Sequence, residues 1–181
     1  MLRVAALLLL VGALSAGCSE ADSDLQISEQ IVGTWDASTA NVRIQSIPFG
    51  IPVADLTAQG DVQTFTFRPN GTFSFLFDPA EGRTVTVSYR GTTYLSFPLD
   101  RTVSLSGDYQ VDETTGQVLF STIPSATADD FRMDPRFSGT QMELIAEDPQ
   151  TLARLFGLAD ADAAELARVV TGGSVTYTPG S

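Results

Sequence analysis

The sequence predicts an all-β fold, an antiparallel barrel or sandwich of about eight to ten strands with a short helical segment near the C-terminus. From about residue 27 to 145, short runs rich in Val, Thr, Phe and Tyr alternate with Gly, Pro, Asn and Asp, as strands and turns do. Turn signals recur about every eight to twelve residues, a spacing typical of all-β barrels and sandwiches. After residue 148 the apolar period becomes helical, and an alternating run over 174–178 indicates a last strand.

The N-terminal segment carries the features of a signal peptide that ends at a cysteine. Arg3 precedes an apolar run over 4–14, and the small pair Ala16-Gly17 directly precedes Cys18, the only cysteine. The run is too short to span a membrane, which takes about 20 apolar residues. The pattern resembles the lipobox of bacterial lipoproteins, in which the cysteine thiol receives a diacylglycerol and the chain is cleaved just before it. An ordinary secretory signal, with Cys18 as a bystander, is the alternative.

This interpretation divides the chain into a signal peptide at 1–17, a lipidated polar tether at 18–26 and one barrel domain at 27–181. Two or three acyl chains on the cysteine, palmitate among them, would anchor the protein permanently, because a single chain binds only reversibly. Ser19, where an Asp would favour the inner membrane, favours the outer membrane of the cell envelope. Lipidation of the only cysteine also leaves no thiol for a disulfide, metal or redox site.

The strands are expected in chain order after the tether. Asp112–Gly116 and Arg90-Gly91 have turn composition, whereas 38–59 and 122–137 lack strong periodicity and are expected to be long loops. Within the first loop, the apolar stretch 47–53 has no obvious partner strand and is a candidate lid. The predicted strands lie near 31–37, 62–68, 72–78, 83–90, 92–97, 101–110, 117–122, 139–146 and 174–178, with a weaker candidate near 42–47.

The clearest hairpin lies in the run FTFRPNGTFSF over 65–75. A two-residue Asn-Gly loop would divide the phenylalanines between the two faces of the hairpin. A three-residue Pro-Asn-Gly loop at 69–71 pairs Phe67 with Phe73 and keeps every phenylalanine on one face. Because a slip of one residue moves each side chain to the opposite face, we predict the three-residue loop, with Gly71 in the left-handed conformation after a type I turn.

Two short helices are predicted before the last strand. Asp148 is expected to cap the first helix, which Pro149 begins and Gly157 ends. The second is expected to begin at a capping-box pattern over 162–165 and to end at Gly172-Gly173. The apolar faces of the two helices comprise Leu152, Leu155, Phe156, Leu166, Val169 and Val170.

The composition argues against nucleic-acid binding and against most catalysis. The formal net charge is −12, all ten basic residues are Arg, and His and Lys are absent. Such a surface repels nucleic-acid phosphates; a salt-adapted proteome explains it most simply, and an acidic face for a cationic ligand is the alternative. Without His, Lys or a free thiol, a serine nucleophile has no ordinary base.

Carboxylates are the remaining candidates for chemistry. Turn and helix-start roles explain those at 108–113 and 160–165, and the neighbours Asp129-Asp130 point apart. We therefore predict no enzyme activity, no cofactor and no metal site. A glycosidase-like carboxylate pair and an adventitious Ca²⁺ site are the alternatives, although no segment matches an EF-hand loop.

Three short motifs behind the lipobox occur in the order typical of one family. They are Ile31–Trp35 (IVGTW), Asn70–Phe73 (NGTF) and Ser106–Tyr109 (SGDY). Together they resemble the bacterial lipocalin-like lipoproteins, and the resemblance covers roughly residues 27–146. It implies an up-and-down antiparallel barrel in which Trp35 closes the floor. The chain lacks a second lipocalin motif of the Thr-Asp-Tyr kind and places its helices before the last strand, so the ligand specificity of the family does not carry over.

The candidate ligand-binding residues are the large apolar side chains expected to face the barrel interior. A barrel of about eight strands is either just filled by its side chains or holds one small ligand. The function hypothesis is therefore non-catalytic binding of a small apolar ligand by an envelope lipoprotein anchored through Cys18. The alternative is a structural or protein-interaction module with a filled barrel. The candidate residues are Trp35, Phe65, Phe67, Phe73, Phe75 and Phe77.

Overall fold

A computed structural model of the protein describes residues 26–47, 49–54, 60–122 and 130–181. The predicted signal peptide, Cys18 and all of the tether except its last residue lie outside the described residues.

The described residues form eleven strands and three short helices. The strands are β1 (Gly33–Ile44), β2 (Gly50–Ala54), β3 (Val62–Phe67), β4 (Thr72–Asp78), β5 (Arg83–Tyr89), β6 (Thr92–Leu99), β7 (Val103–Asp112), β8 (Gln117–Thr122), β9 (Phe131–Ser138), β10 (Gln141–Ala146) and β11 (Val170–Pro179). The helices are α1 (Ile27–Gln30), α2 (Pro149–Leu155) and α3 (Asp160–Val169).

Eight of the strands close an antiparallel barrel. Their order around the barrel is β1-β3-β4-β7-β8-β9-β10-β11, and β11 pairs again with β1. Strands that are neighbours in this order run in opposite directions. The predicted up-and-down barrel with a helical segment near the C-terminus is therefore confirmed, and both C-terminal helices lie between β10 and β11.

The two ends of the barrel carry different additions. We call the end that holds residues 31–33, 68–71 and 113–116 the floor, and the opposite end the roof. At the roof, β2 pairs with the second half of β1. The β5–β6 hairpin, which follows β4 and precedes β7 in the chain, forms a separate two-stranded sheet. β1 pairs with β3 only over Gly33–Asp36, at the floor half of the barrel, but it pairs with β11 from Trp35 to Ile44.

The predicted register of the β3–β4 hairpin is confirmed. Phe67 pairs with Phe73, and the Gly71 amide donates to the Arg68 carbonyl at 3.0 Å, closing the type I turn. Gly71 has a φ of +79°, and the Arg68 amide donates to the Thr72 carbonyl at 2.9 Å. These features are those of a three-residue loop with a G1 bulge.

We expect Gly71→Val to lower the free energy of unfolding more than Asn70→Ala does. A β-branched residue is poorly tolerated at positive φ, and such strain costs about 1–3 kcal/mol. Asn70 accepts hydrogen bonds from the Thr72 amide at 3.2 Å and hydroxyl at 2.8 Å, both exposed, so its loss costs about 1 kcal/mol or less. Denaturant melts of the two variants provide the comparison. Equal losses would mean that the strain at position 71 relaxes.

The two other predicted turns are also confirmed. Arg90 (φ +51°) and Gly91 (φ +80°) form the two-residue β5–β6 turn, with the positive φ angles of a type I′ hairpin. In the β7–β8 turn, the Asp112 carboxylate accepts from the Thr114 amide at 2.9 Å. The amide of Gly116 donates to the Asp112 carbonyl at 2.7 Å.

The predicted loop over 38–59 is wrong for much of its described part. β1 runs on to Ile44 and includes the first half of the weaker candidate strand near 42–47. The candidate lid over 47–53 has a partner strand, because β2 pairs with β1 between Ala40 and Arg43. β2 is short and is an edge strand of the sheet, a position that tolerates Pro52 but weakens its sequence signal.

The predicted loop over 122–137 is wrong from residue 131 on, because β9 lies there; residues 123–129 lie outside the described residues. Phe131 and Met133 are buried and the residue between them is exposed, which is ordinary strand alternation. Pro135 pairs with β10 but lies beyond Met133, the last β9 residue that pairs with β8. Proline has no backbone N–H to donate, and at Pro135 only the β10 side of β9 is paired, so the missing donor affects one ladder and not two.

The first C-terminal helix begins as predicted and the second does not. Asp148 accepts hydrogen bonds from the amide and the hydroxyl of Thr151, both at 2.8 Å, so it is the N-cap of α2. α3 begins at Asp160, and its N-cap residue, Ala159, makes no side-chain hydrogen bond. The capping box predicted over 162–165 is therefore wrong, since Asp162 lies within the first turn.

Gly172 and Gly173 do not end α3 but lie within β11. A Cβ atom at Gly172 would lie 2.5 Å from the Ala146 carbonyl oxygen of β10. At Gly173 it would lie 2.3 Å from the Asn41 carbonyl oxygen of β1. The glycines are needed because neighbouring backbones approach β11 closely here, and a helix stop is not their role.

Candidate functional site

The five candidate phenylalanines all point into the barrel, as predicted. Each is at most 1% exposed. They alternate along β3 and β4 with more exposed residues such as Thr64 and Ser74, so one face of each strand forms the interior.

These rings pack against one another and against residues that the sequence analysis missed. The Phe65 ring centroid lies 4.6 Å from that of Phe75, 5.2 Å from that of Phe67 and 5.7 Å from that of Phe120. Phe120 of β8 stacks on Phe131 of β9 at 4.6 Å. Such centroid distances are those of directly packed aromatic pairs. The alternation around Phe120 and Phe131 in the sequence is the signal that could have identified them.

The floor of the barrel is closed by α1 and Trp35. Trp35 is 8% exposed, and its indole N–H donates to the Ile31 carbonyl at 2.8 Å. The Ile31 side chain is fully buried. The Glu113 carboxylate, across the barrel in the β7–β8 turn, accepts from the amides of Ile27 and Ser28 at 3.1 and 2.9 Å. The first helix therefore crosses beneath the interior, and Trp35 has the floor position that the resemblance implies.

The three motifs behind the family resemblance meet at this floor. Gly33 pairs with Phe67, which pairs with Phe73, which pairs with Gly107, so one row of residues crosses four neighbouring strands. Tyr109 connects two of the motifs directly. Its hydroxyl donates to the Arg68 carbonyl at 3.0 Å and its amide donates to the Gly71 carbonyl at 2.7 Å. These contacts are structural, so the motifs account for the barrel floor without a ligand.

The roof is covered by the α2–α3 segment. Leu152 lies over Gly173 of β11, 3.0 Å from where a Cβ would be, and the Phe156 ring meets Phe77 of β4 edge-on at 5.6 Å. Gly157 lies against Val103 of β7. Because β11 and the β4–β7 pair are on opposite sides of the barrel, this segment spans the whole opening.

Among the surface cavities lined by described residues are four whose linings include none of the six candidate residues. Their volumes run from about 250 to about 530 Å³. The largest lies beside α2 and includes Asp148 and Arg154. Another, of about 380 Å³, lies on the outer wall, where Arg43 forms a 3.2 Å ion pair with Glu147.

The two carboxylates of the β7–β8 turn, Asp112 and Glu113, have structural partners. Hydrogen bonds from the side chain and amide of Thr115 and the amide of Thr114 lower the pKa of Asp112, and those from Ser28 lower the pKa of Glu113. These are a turn and a helix-capping contact. Within the part of the chain that the structure describes, no three carboxylates are arranged to hold a metal ion.

Three polar groups are buried where the sequence analysis did not place them. Asp61 lies under the β5–β6 hairpin, where its carboxylate meets the guanidinium of Arg83 at 3.0 Å. Gln63 and Tyr177 lie among the interior aromatics, at 3% and 0% exposure. Gln63 shares the inward phase of Phe65 and Phe67 in β3, which is the signal that could have found it.

Comparison with known proteins identifies no relative: no family model, curated protein or solved structure matches the chain. Among the described helices, none is long and apolar enough to cross a membrane.

Proposed function

We propose that the protein is a non-catalytic, lipid-anchored envelope protein whose filled barrel serves as a structural or protein-interaction module. The observation that carries the second half of this proposal is the packing of the interior aromatic rings between a covered floor and a covered roof. A small-molecule pocket typically encloses about 300–1,000 Å³. To open a pocket of that size inside the barrel, an apolar ligand would have to displace several of the packed phenylalanine rings. The interior therefore favours the filled-barrel alternative over ligand binding.

The lipobox supports the membrane anchor, and α1 then determines how the barrel is held. The tether joins the domain at the floor, because Glu113 binds the first amides of α1 there. Gln26 lies eight positions after Cys18, a span of at most about 29 Å when fully extended. The floor would therefore stay near the membrane and the roof would point away from it.

A partner protein would then meet the roof. Phe49, next to β2 at that end, is 77% exposed, and aromatic side chains are enriched where protein interfaces have their strongest contacts. Photo-crosslinking from position 49 in intact cells tests this. A discrete crosslinked protein supports a roof-facing partner. The absence of any at position 49, with one formed from Gln110, an exposed position near the floor end of β7, would place the interface elsewhere.

Cys18→Ser is expected to abolish membrane anchoring, because the variant has no thiol to accept the lipid. The measurement is membrane fractionation after detergent-free lysis. Ser19→Ala is the matched control, since it changes the neighbouring residue and leaves the acceptor in place. A Cys18→Ser protein that matures normally and still sediments with the membrane would disprove the lipoprotein assignment.

The filled barrel is tested by titrating the lipid-free protein with fatty acids and with retinoid-like and porphyrin-like probes. Trp35 is the only tryptophan and lies at the floor of the interior, so its fluorescence reports entry of a ligand. We expect neither its emission nor the melting temperature to change at micromolar probe. A saturable emission shift together with a higher melting temperature would restore the ligand-binding hypothesis.

A further inference from the structure

The polar side chains of Gln63 and Tyr177 stand out within the apolar barrel interior. Among the residues that the structure describes, neither the Gln63 amide oxygen and nitrogen nor the Tyr177 hydroxyl has a hydrogen-bond partner. A buried polar group left in this state costs about 1–3 kcal/mol. Native proteins usually satisfy such groups with protein atoms or with ordered water.

The strand register places these two side chains in one layer. Tyr177 of β11 pairs with Ala37 of β1. The last β1–β3 pair is Asp36 with Thr64, so Ala37 and Gln63 are the next residues on their strands. Asp36 also pairs with Thr178 of β11, and paired strands lie about 4.8 Å apart, which puts the Cα atoms of Thr64 and Thr178 on the order of 10 Å apart; Gln63 and Tyr177 are the next residues on those two strands. Ala37 lies between them and offers only a methyl group, so the two longer side chains extend over it.

We propose that Gln63 and Tyr177 form an enclosed binding site for ordered water inside the barrel. Water can accept from the Gln63 amide N–H and from the Tyr177 hydroxyl, and it can donate to the Gln63 amide oxygen. The site is next to the point where β1 leaves β3 to pair with β2, which is a break in the barrel ladder.

The surroundings favour a neutral occupant of this size. The Tyr177 ring is held edge-on against Phe65 at 5.8 Å, and Met142 and Phe77 flank the layer as the cross-strand partners of Tyr177 and Gln63. Burial raises the pKa of Tyr177, so its hydroxyl stays neutral at physiological pH. A charged ligand would have no counter-charge from these neighbours.

A double-mutant cycle tests the site, using Tyr177→Phe, Gln63→Met and the double variant. If water bridges the two groups, each single substitution removes a hydrogen bond that holds the water and weakens its contact with the other group, and each should lower the melting temperature by about 2–6 °C. The double variant should lower it by clearly less than the sum, because neither polar group then remains to be satisfied. If the site is dry, each substitution removes an unsatisfied atom, and the melting temperatures should stay unchanged or rise additively; that result would overturn the proposal.

Tyr109→Phe provides the matched control. Its hydroxyl already donates to the Arg68 carbonyl at the floor, so it should destabilise the protein additively with Gln63→Met. Coupling of equal size in both cycles would show a general loss of packing and would also overturn the proposal.

Native mass spectrometry of the purified protein separates water from a small polar molecule. We expect the mass of the polypeptide with its lipid. An additional mass that is lost on denaturation would overturn the water assignment in favour of a bound ligand.

Discussion

Gly107→Ala is expected to destabilise the barrel by about 3 kcal/mol or more, near the upper end of overpacking substitutions. A Cβ atom at this position would lie 1.9 Å from the Ser121 carbonyl oxygen and 2.9 Å from the Thr122 Cα atom of β8. Both are backbone atoms within a paired strand, so no side-chain rotation relieves the clash. The two strands must separate, and the loss of pairing extends to the row in which Gly107 pairs with Phe73 of β4.

Thermal and denaturant melts measure this effect, and Gly50→Ala provides the matched control. Gly50 is also a strand glycine, and the nearest contact of a Cβ there is an ordinary 3.8 Å to Asn41. Replacing a glycine without strain is neutral or stabilises by up to about 1 kcal/mol. Similar melting temperatures for the two variants would mean that β7 and β8 are further apart than described.

Asp61→Ala is expected to cost about 3–5 kcal/mol, the usual loss when one partner of a buried ion pair is removed. The side chains of Asp61 and Arg83 are 0% and 9% exposed and meet at 3.0 Å. The second carboxylate oxygen accepts from the Ala80 amide at 2.8 Å. This carboxylate therefore holds the start of β3, the β4–β5 turn and the start of β5 together, and its removal leaves a guanidinium buried without its partner.

Asp100→Ala is the matched control for this prediction. Asp100 is 3.9 Å from Arg101, but their side chains are 76% and 62% exposed, and exposed pairs contribute about 0–1 kcal/mol. Combining Asp61→Ala with Arg83→Met should recover much of the loss, because the unpaired charge is removed as well. If Asp61→Ala were no more destabilising than Asp100→Ala, the hairpin would not depend on the buried pair.

Local patterns in the sequence predict the central half of the barrel, because the alternation of inward and outward side chains dominates the sequence there. The β3–β4 register follows from five phenylalanines that must share a face, and the α2 cap follows from Asp148-Pro149. β9 was missed because Pro135 and its charged neighbours obscure an alternation that is present. β2 was missed because it is a short edge strand, and among the described strands it pairs with β1 alone.

The parts of the candidate site that were not predicted depend on contacts between distant segments. The inward direction of Phe65 and Phe75 follows from alternation, but the cover over the roof depends on Phe156 meeting Phe77, 79 residues away in the chain. The pairing of Asp61 with Arg83 needs the hairpin to fold back onto the barrel. Gly172 and Gly173 resemble a helix stop until the close approach of β1 and β10 is known. Local propensity carries no information about such contacts.

The pairing of β1 with β11 has a consequence for how the chain folds. These strands join Trp35 to Pro179, nearly the two ends of the domain, so the barrel closes only after the final residues are available. A chain that emerges N-terminus first therefore leaves one edge of β1 unpaired until β11 has been synthesised. Long-range closure of this kind slows folding and lengthens exposure of unpaired strand edges to aggregation. The barrel should accordingly acquire its native structure in one late step, after β11 has been made.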